Sequence, residues 1–176
     1  LKEPFKAAEC YIRDGKYQIA GEIYEKNKEK EKAAAVFKKG GYYEKAASIY
    51  AELGRLKESA ECWFEAYKHA EGPIEGRKKE FLLNSAEMLM KCGDEREALE
   101  MFRKAGEMER AGKLAEERGN YTLAGECYEE ARAFREAAEA FKKAGNETKS
   151  ILNLARFYES RGEFIKAGEL YEKIEN

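Results

Sequence analysis

Apolar residues recur along this chain at spacings of three and four, and small residues recur every thirteen. Ala20, Ile23 and Tyr24 show the short spacing, and the same pattern returns 26 residues later. It fits one face of a helix with 3.6 residues per turn and does not fit the alternation of a β-strand. The pattern therefore predicts an all-α protein.

Small residues define one position of a thirteen-residue repeat. They are Ala7, Ala20, Ala33, Ala46, Ser59, Ser85, Ala98, Ala111, Ala124, Ala137 and Ser150. A large apolar residue follows most of them four places later, as Tyr24 follows Ala20. A small residue lets a neighbouring helix approach closely, and the large side chain one turn along fills the space beyond. The two positions therefore predict close packing between helices.

Glycine follows the small residue after eight places in most repeats. These glycines are Gly15, Gly41, Gly54, Gly93, Gly106, Gly119 and Gly145. Glycine readily adopts the left-handed backbone that ends many helices. Each period therefore predicts one short helix and one tight turn. A helix of about ten residues is marginal alone in water, so its neighbours must stabilise it.

Three segments depart from this rhythm. Leu56 to Glu71 and Ile74 to Cys92 are predicted to form two longer helices separated by Gly72-Pro73, and Asn146 to Arg161 a third. The pattern restarts four residues late after the third, which is about one helical turn and keeps the same packing face. We expect 1–176 to form a single repeat domain with an irregular, longer helix pair near 56–92.

The string of an aromatic residue, Gly-x-aromatic, Ala and a second aromatic residue resembles the core signature of tetratricopeptide (TPR) repeats. It occurs at Tyr11, Gly15, Tyr17, Ala20, Tyr24, and again at Phe37, Gly41, Tyr43, Ala46, Tyr50 and at Tyr158, Gly162, Phe164, Ala167, Tyr171. Tetratricopeptide repeats take 34 residues for two unlike helices, whereas two helices take 26 residues here.

This compact form resembles the short-helix solenoids of soluble attachment proteins for membrane fusion. It is also similar to the helical stalks that follow propellers in vesicle-coat and intraflagellar-transport subunits. The resemblance implies a right-handed α-α solenoid of short antiparallel helices, TPR-like in architecture, that binds other proteins. It says little about which protein is bound.

Composition and charge narrow the class of partner. Hydrophobic residues make up 43% of the chain and charged residues 39%, and the formal net charge is −2 with both signs interleaved. Nucleic-acid phosphates require a basic stripe, so no nucleic-acid partner is predicted. A reader of one RNA base per repeat stays as an alternative, although the repeat positions that it would use mix Glu and Lys.

The location is predicted from what the sequence lacks. Its apolar stretches are far shorter than the roughly 20 residues that span a bilayer, and no charged-then-apolar leader opens the chain, which predicts a cytoplasmic location. The Lys- and Glu-rich composition, with Gln18 as the single glutamine, resembles that of heat-tolerant proteins.

Candidate chemistry is sparse. Cys10, Cys62 and Cys127 are separated by multiples of thirteen residues, so all three are predicted to be small core residues. Cys92 lies at a helix end without a Cys-x-x-Cys partner, so neither a zinc site nor a redox motif is predicted. His69 lies in a charged stretch and is expected to be a solvated residue at a helix end. We therefore predict no catalytic residue, no cofactor and no metal.

Large apolar residues at positions where sister repeats carry polar ones are the candidates for partner binding. They are Tyr42, Phe64, Tyr67 and Phe81. Burial of the longer helices against each other would equally explain the last three, which leaves Tyr42 as the clearest surface candidate. The segment from Trp63 to Phe81 is predicted to shape a groove for a helical or extended peptide, with the aromatic residues as anchors.

These patterns predict a protein–protein interaction scaffold or adaptor, not an enzyme. The alternative is a passive architectural role, in which the solenoid spaces or dimerises the domains of a larger chain. The chain begins at Leu1 inside what looks like a repeat unit and ends as abruptly. This predicts a fragment of a longer protein, with exposed end faces through which it self-associates.

Overall fold

The computed structural model describes residues 3–175, and every regular element in that part is an α-helix. The helices are α1 (Glu3–Arg13), α2 (Tyr17–Lys26), α3 (Lys30–Lys39), α4 (Tyr43–Glu52), α5 (Leu56–His69), α6 (Arg77–Cys92), α7 (Glu95–Lys104), α8 (Met108–Glu117), α9 (Tyr121–Glu130), α10 (Phe134–Lys143), α11 (Glu147–Ser160) and α12 (Phe164–Glu175). The prediction of an all-α solenoid of short helices is confirmed.

The short helices end in a recurrent hydrogen-bonded turn. At the end of α1, the Lys16 N–H donates to the Tyr11 carbonyl at 2.8 Å, and the Gly15 N–H donates to the Ile12 carbonyl at 3.1 Å. These are the two bonds of a Schellman motif, which satisfies carbonyls that a helix end leaves free. Gly15 has a φ of +74°. All the other glycines predicted at this position also have positive φ.

Two turns adopt the same backbone conformation at a residue that is not glycine. Lys28 has a φ of +62° and Arg132 a φ of +59°, both in the left-handed region. The Glu29 N–H still donates to the Tyr24 carbonyl at 2.9 Å, so the turn itself is unchanged. The neighbouring helices hold these two residues in a conformation that their own Cβ atoms disfavour.

The chain divides into two compact units, Leu1–Met101 and Phe102–Asn176. In the first unit each helix from α1 to α6 packs against the next, and in the second unit the same holds from α8 to α12. Alanines at the small position, such as Ala20, Ala33 and Ala124, are fully buried at these contacts. A single domain over 1–176 stays a prediction.

Ion pairs join alternate helices within each unit. Lys45 of α4 lies 3.2 Å from Glu22 of α2, and Lys143 of α10 lies 2.6 Å from Glu116 of α8. Pairs that bridge alternate helices show that helices two apart are neighbours, as an antiparallel stack requires.

Serine at the small position makes its own contact between helices. The Ser59 hydroxyl donates to the Ala47 carbonyl at 2.8 Å, and the Ser150 hydroxyl donates to the Ala138 carbonyl at 2.8 Å. A polar group buried between helices is therefore satisfied by the backbone of the preceding helix. This explains why serine can replace alanine at a position that the repeat keeps small.

The irregular region departs from the predicted boundaries. α5 ends at His69, and Ala70 is extended with φ −76° and ψ 138°. α6 begins at Arg77, three residues later than predicted, because Pro73 restricts the backbone and Gly76 takes a φ of +53°. The long helix predicted near 146–161 is confirmed as α11.

The cysteine prediction is right for two residues and wrong for one. Cys62 and Cys127 are buried, and burial raises the pKa of the Cys62 thiol to about 11. Cys10 is exposed, because α1 packs against α2 on one side while α5, which carries Cys62, packs against both α4 and α6.

Across residues 3–175, no helix combines the length and the apolar character needed to cross a bilayer.

Candidate partner-binding site

A groove of about 670 Å³ opens beside the irregular connection between α5 and α6. Its walls are the start of α4, the end of α5, residues 70–75 and the start of α6. Aromatic and cyclic side chains line much of it, namely Tyr42, Tyr43, His69, Pro73 and Phe81. Smaller grooves lie in the second unit, of about 330 Å³ beside Tyr128 and about 530 Å³ beside Phe157. The long connection between α5 and α6 contributes Ala70, Glu71, Pro73 and Glu75 to the lining of the 670 Å³ groove.

Paired side chains fix the walls of the groove. The Tyr43 ring stacks on the His69 ring with centroids 5.2 Å apart and planes at 20°. Arg77 lies 2.5 Å from Glu44, and its guanidinium lies over the Phe81 ring at 5.5 Å. The hydrogen bond with Glu44 raises the pKa of Arg77. These contacts connect α4 to both α5 and α6 across the groove.

Tyr42 is the exposed tyrosine of the groove, with 38% of its surface accessible. Its backbone N–H donates to the Phe37 carbonyl at 2.9 Å, and its ring meets the buried Phe37 ring edge-on at 6.2 Å. A Cβ on Gly40 would come within 3.0 Å of the Tyr42 ring and 2.4 Å of the Tyr17 Cβ. The absent side chain at Gly40 thus leaves room for Tyr42.

The other three candidate residues are engaged within the protein. Phe81 is only 4% exposed and stacks on Trp63 at 5.8 Å, so it presents little more than an edge to the groove. Phe64 and Tyr67 are half-buried and stack on each other at 5.7 Å, outside the groove lining. The structure therefore brings Tyr42 and Phe81 to one groove and leaves Phe64 and Tyr67 beside it.

Charged residues complete the lining. Lys78 donates to the Gly72 carbonyl at 3.1 Å and lies over the Tyr67 ring at 5.6 Å, which fixes one end of the connection. Glu71 and Glu75 are exposed and form no ion pair within residues 3–175. The groove thus combines aromatic faces with two carboxylates that form no ion pair in the described part of the chain.

Sequence reasoning missed the polar part of this groove. Tyr43 fits the repeat pattern, so packing alone explained it, and His69 was expected only to be solvated. The exposed side chain of His69 is confirmed, but its stacking on Tyr43 was not foreseen. The available signal was the run of charged residues beside Gly72 and Gly76, since a charged, glycine-containing break in a repeat often forms an exposed connection.

The groove offers contacts for side chains and no evident site for a metal. No group of three or more His, Cys, Asp or Glu in the described residues could hold a metal ion. Burial raises the pKa of both core thiols, Cys62 and Cys127, which keeps them protonated and unreactive at neutral pH.

Comparison with known proteins gives one family and several solved structures. The family model described as soluble NSF attachment protein, SNAP, matches residues 13–176. No curated protein matches the chain. A putative kinesin light chain from Podosopora anserina with nearly identical TPR-like repeats is 16% identical, with a TM-score of 0.43 over 99% of this chain and 93% of that chain. BtubC (BKLC) from P. vanneervenii is 15% identical, with a TM-score of 0.34 over 99% and 89% of the two chains.

Proposed function

Because the chain belongs to the soluble NSF attachment protein family, we propose that it is a non-catalytic adaptor that binds another protein through the groove between α4, α5 and α6. The exposed ring of Tyr42 in the groove lining carries the proposal. The family description names an attachment protein, which supports binding to another protein as the activity. The bound part of the partner is a helical or extended peptide segment.

Tyr42 suits an anchoring role because it is exposed and already held in place. Tyrosine is enriched among residues that dominate binding energy at protein interfaces. The contact with Phe37 restricts the ring before binding, so little side-chain freedom is lost when a partner arrives. Phe81 adds an apolar edge to the floor of the groove. Phe64 and Tyr67 support it indirectly, since Lys78 lies over Tyr67 and bonds to the connection.

Two single substitutions test the proposal. Tyr42→Ser removes the anchor, and Ile19→Ser removes an apolar residue of similar exposure, 42%, that lies outside the groove lining. Affinity capture from the native extract should recover a partner with wild type and with Ile19→Ser, and about tenfold less of it with Tyr42→Ser. Circular dichroism should show all three folded. Equal recovery with Tyr42→Ser and wild type would contradict the proposal.

A second candidate function, self-association, is favoured by one surface of α12. Phe164 and Ile165 are 69% and 82% exposed, the two largest exposed fractions among the large apolar residues of the described chain. Adjacent exposed apolar residues mark interaction surfaces more often than isolated ones do. Sedimentation velocity should then show dimers or larger species that the Phe164→Ser/Ile165→Ser variant lacks. A monomer at all concentrations would dismiss this candidate.

A further inference from the structure

We propose that the groove selects a peptide segment that carries lysine or arginine beside an apolar side chain. This inference rests on the proposed function and adds the chemistry of the partner to it. The apolar side chain would lie on Tyr42, and the cation would meet Glu71 and Glu75.

The three cationic residues of the lining each have a partner inside the protein. Lys45 pairs with Glu22 at 3.2 Å and also lies over the Phe37 ring at 5.1 Å. Arg77 pairs with Glu44, and Lys78 donates to the Gly72 carbonyl. These contacts hold α2, α4, α6 and the connection together, and two of the three cations already have a carboxylate partner in the free protein.

Unlike the cations, only one of the three carboxylates in the lining has a partner of opposite charge. Glu44 is occupied by Arg77, whereas Glu71 and Glu75 have no cationic partner in the part of the chain that the structure describes. Both lie on the connection between α5 and α6, so both belong to the same rim of the groove. Lys78 is the one lining cation without a carboxylate partner, because the Gly72 carbonyl that it bonds to is uncharged. The two unpaired carboxylates outnumber it, so electrostatic complementarity favours a basic segment.

Aromatic faces strengthen the same preference. Tyr42 and Tyr43 both line the groove, and a tyrosine face attracts a lysine or arginine cation as well as an apolar side chain. An acidic segment would meet Glu71 and Glu75 with like charge and would find each cation already engaged. A basic segment with an apolar neighbour satisfies both features of the groove.

A phage-displayed library of random seven-residue peptides supplies the probe. Panning against the wild-type protein in low salt should enrich lysine or arginine next to an aliphatic or aromatic residue. A synthetic peptide of the enriched sequence should bind the Glu71→Gln/Glu75→Gln variant about three- to tenfold more weakly, as expected for two exposed ion pairs. The loss should shrink as salt is raised, because screening weakens these contacts.

The matched control is Glu9→Gln/Glu31→Gln, which removes two exposed carboxylates outside the groove from the same unit. It should bind the peptide as wild type does. Enriched peptides without basic residues, or equal binding by the Glu71→Gln/Glu75→Gln variant and wild type, would overturn the inference.

The same peptides separate this inference from the proposed function. If the peptides lose affinity for the Tyr42→Ser variant but not for the Glu71→Gln/Glu75→Gln variant, the groove is the binding site but has no preference for basic segments. Peptides unaffected by Tyr42→Ser, or no enriched peptide at all, would reject both.

Discussion

A Cβ on Gly21 would lie 2.5 Å from Cε1 of Phe37, closer than real Cβ atoms come to another carbon atom. Gly21 therefore leaves a space on α2, and the fully buried ring of Phe37 on α3 fills it. The same close approach occurs between Gly112 and Tyr128 and between Gly125 and Phe141, again sixteen residues apart. In both pairs a Cβ on the glycine would lie 2.8 Å from the nearest ring atom. We expect Gly21→Ala to lower the free energy of unfolding by about 1–2 kcal/mol, because overpacking exceeds the gain in helix propensity. Urea unfolding measures it.

The control for this substitution is at Gly168, the equivalent position on α12. A Cβ there would meet nothing within 4 Å. Gly168→Ala should therefore raise the free energy of unfolding by up to about 0.8 kcal/mol, because alanine favours the helix and clashes with nothing. If both substitutions stabilise the protein, close approach at Gly21 does not limit the packing.

Two residues other than glycine have a left-handed backbone conformation, and replacing them with glycine should stabilise the protein. Lys28→Gly should raise the free energy of unfolding by about 1 kcal/mol, since its φ of +62° is costly for a residue with a Cβ. Arg132→Gly should act in the same way in the second unit. Lys26→Gly, inside the last turn of α2, should instead destabilise by about 0.8 kcal/mol. Thermal melts of the three variants check the order, and a lower melting temperature for Lys28→Gly would contradict it.

Thiol labelling distinguishes the two pairs of cysteines. Cys10 and Cys92 are exposed, whereas Cys62 and Cys127 are buried. Burial raises the pKa of the Cys62 thiol to about 11, so thiolate is scarce as well as inaccessible. A thiol reagent at pH 8 should modify two cysteines quickly and two only after unfolding. Rapid modification of Cys62 in the folded protein would show that α5 is not packed as described.

Acid should weaken one contact in the second unit. The hydrogen bond from Lys143 to Glu116 lowers the pKa of that carboxyl, and the Tyr128 hydroxyl donates to it at 3.2 Å. A lowered folded pKa contributes stability above the unfolded value of about 4.3 and loses it as the pH falls through the folded value. Glu116→Gln should be about 0.5 kcal/mol less stable at pH 7, with a difference that shrinks below about pH 4. Glu117→Gln, at the exposed neighbouring residue, is the control for the loss of one carboxylate from α8.

Much of the fold could be predicted because each position of the repeat has the same physical requirement in every copy. Ala20, Ala46 and Ala124 are buried where a small residue is needed, and Gly15 and Gly41 turn the backbone where a left-handed residue is needed. The start of α6 was misplaced because Ile74 continues a helical pattern, although Pro73 and Gly76 prevent a helix there. Local spacing does not register such a backbone constraint.

Less of the candidate site could be predicted. Tyr42 was selected as a candidate because it is apolar where sister repeats are polar, and that comparison needs only the sequence. Phe81 satisfied the same test but is buried against Trp63, since the longer helices bury surface that the short ones do not. The pairing of Arg77 with Glu44 joins residues 33 positions apart, and no local pattern indicates which helices lie opposite each other.

Site-specific photocrosslinking tests the central claim most directly. Benzoylphenylalanine introduced in place of Tyr42, or in place of Ile19 as the control, is irradiated in native extract, and crosslinked peptides are identified by mass spectrometry. We expect the probe at position 42 to capture one protein through a segment that contains lysine or arginine, and the probe at position 19 not to capture it. Capture of the same proteins from both positions, or of none from position 42, would contradict a partner-binding groove at Tyr42.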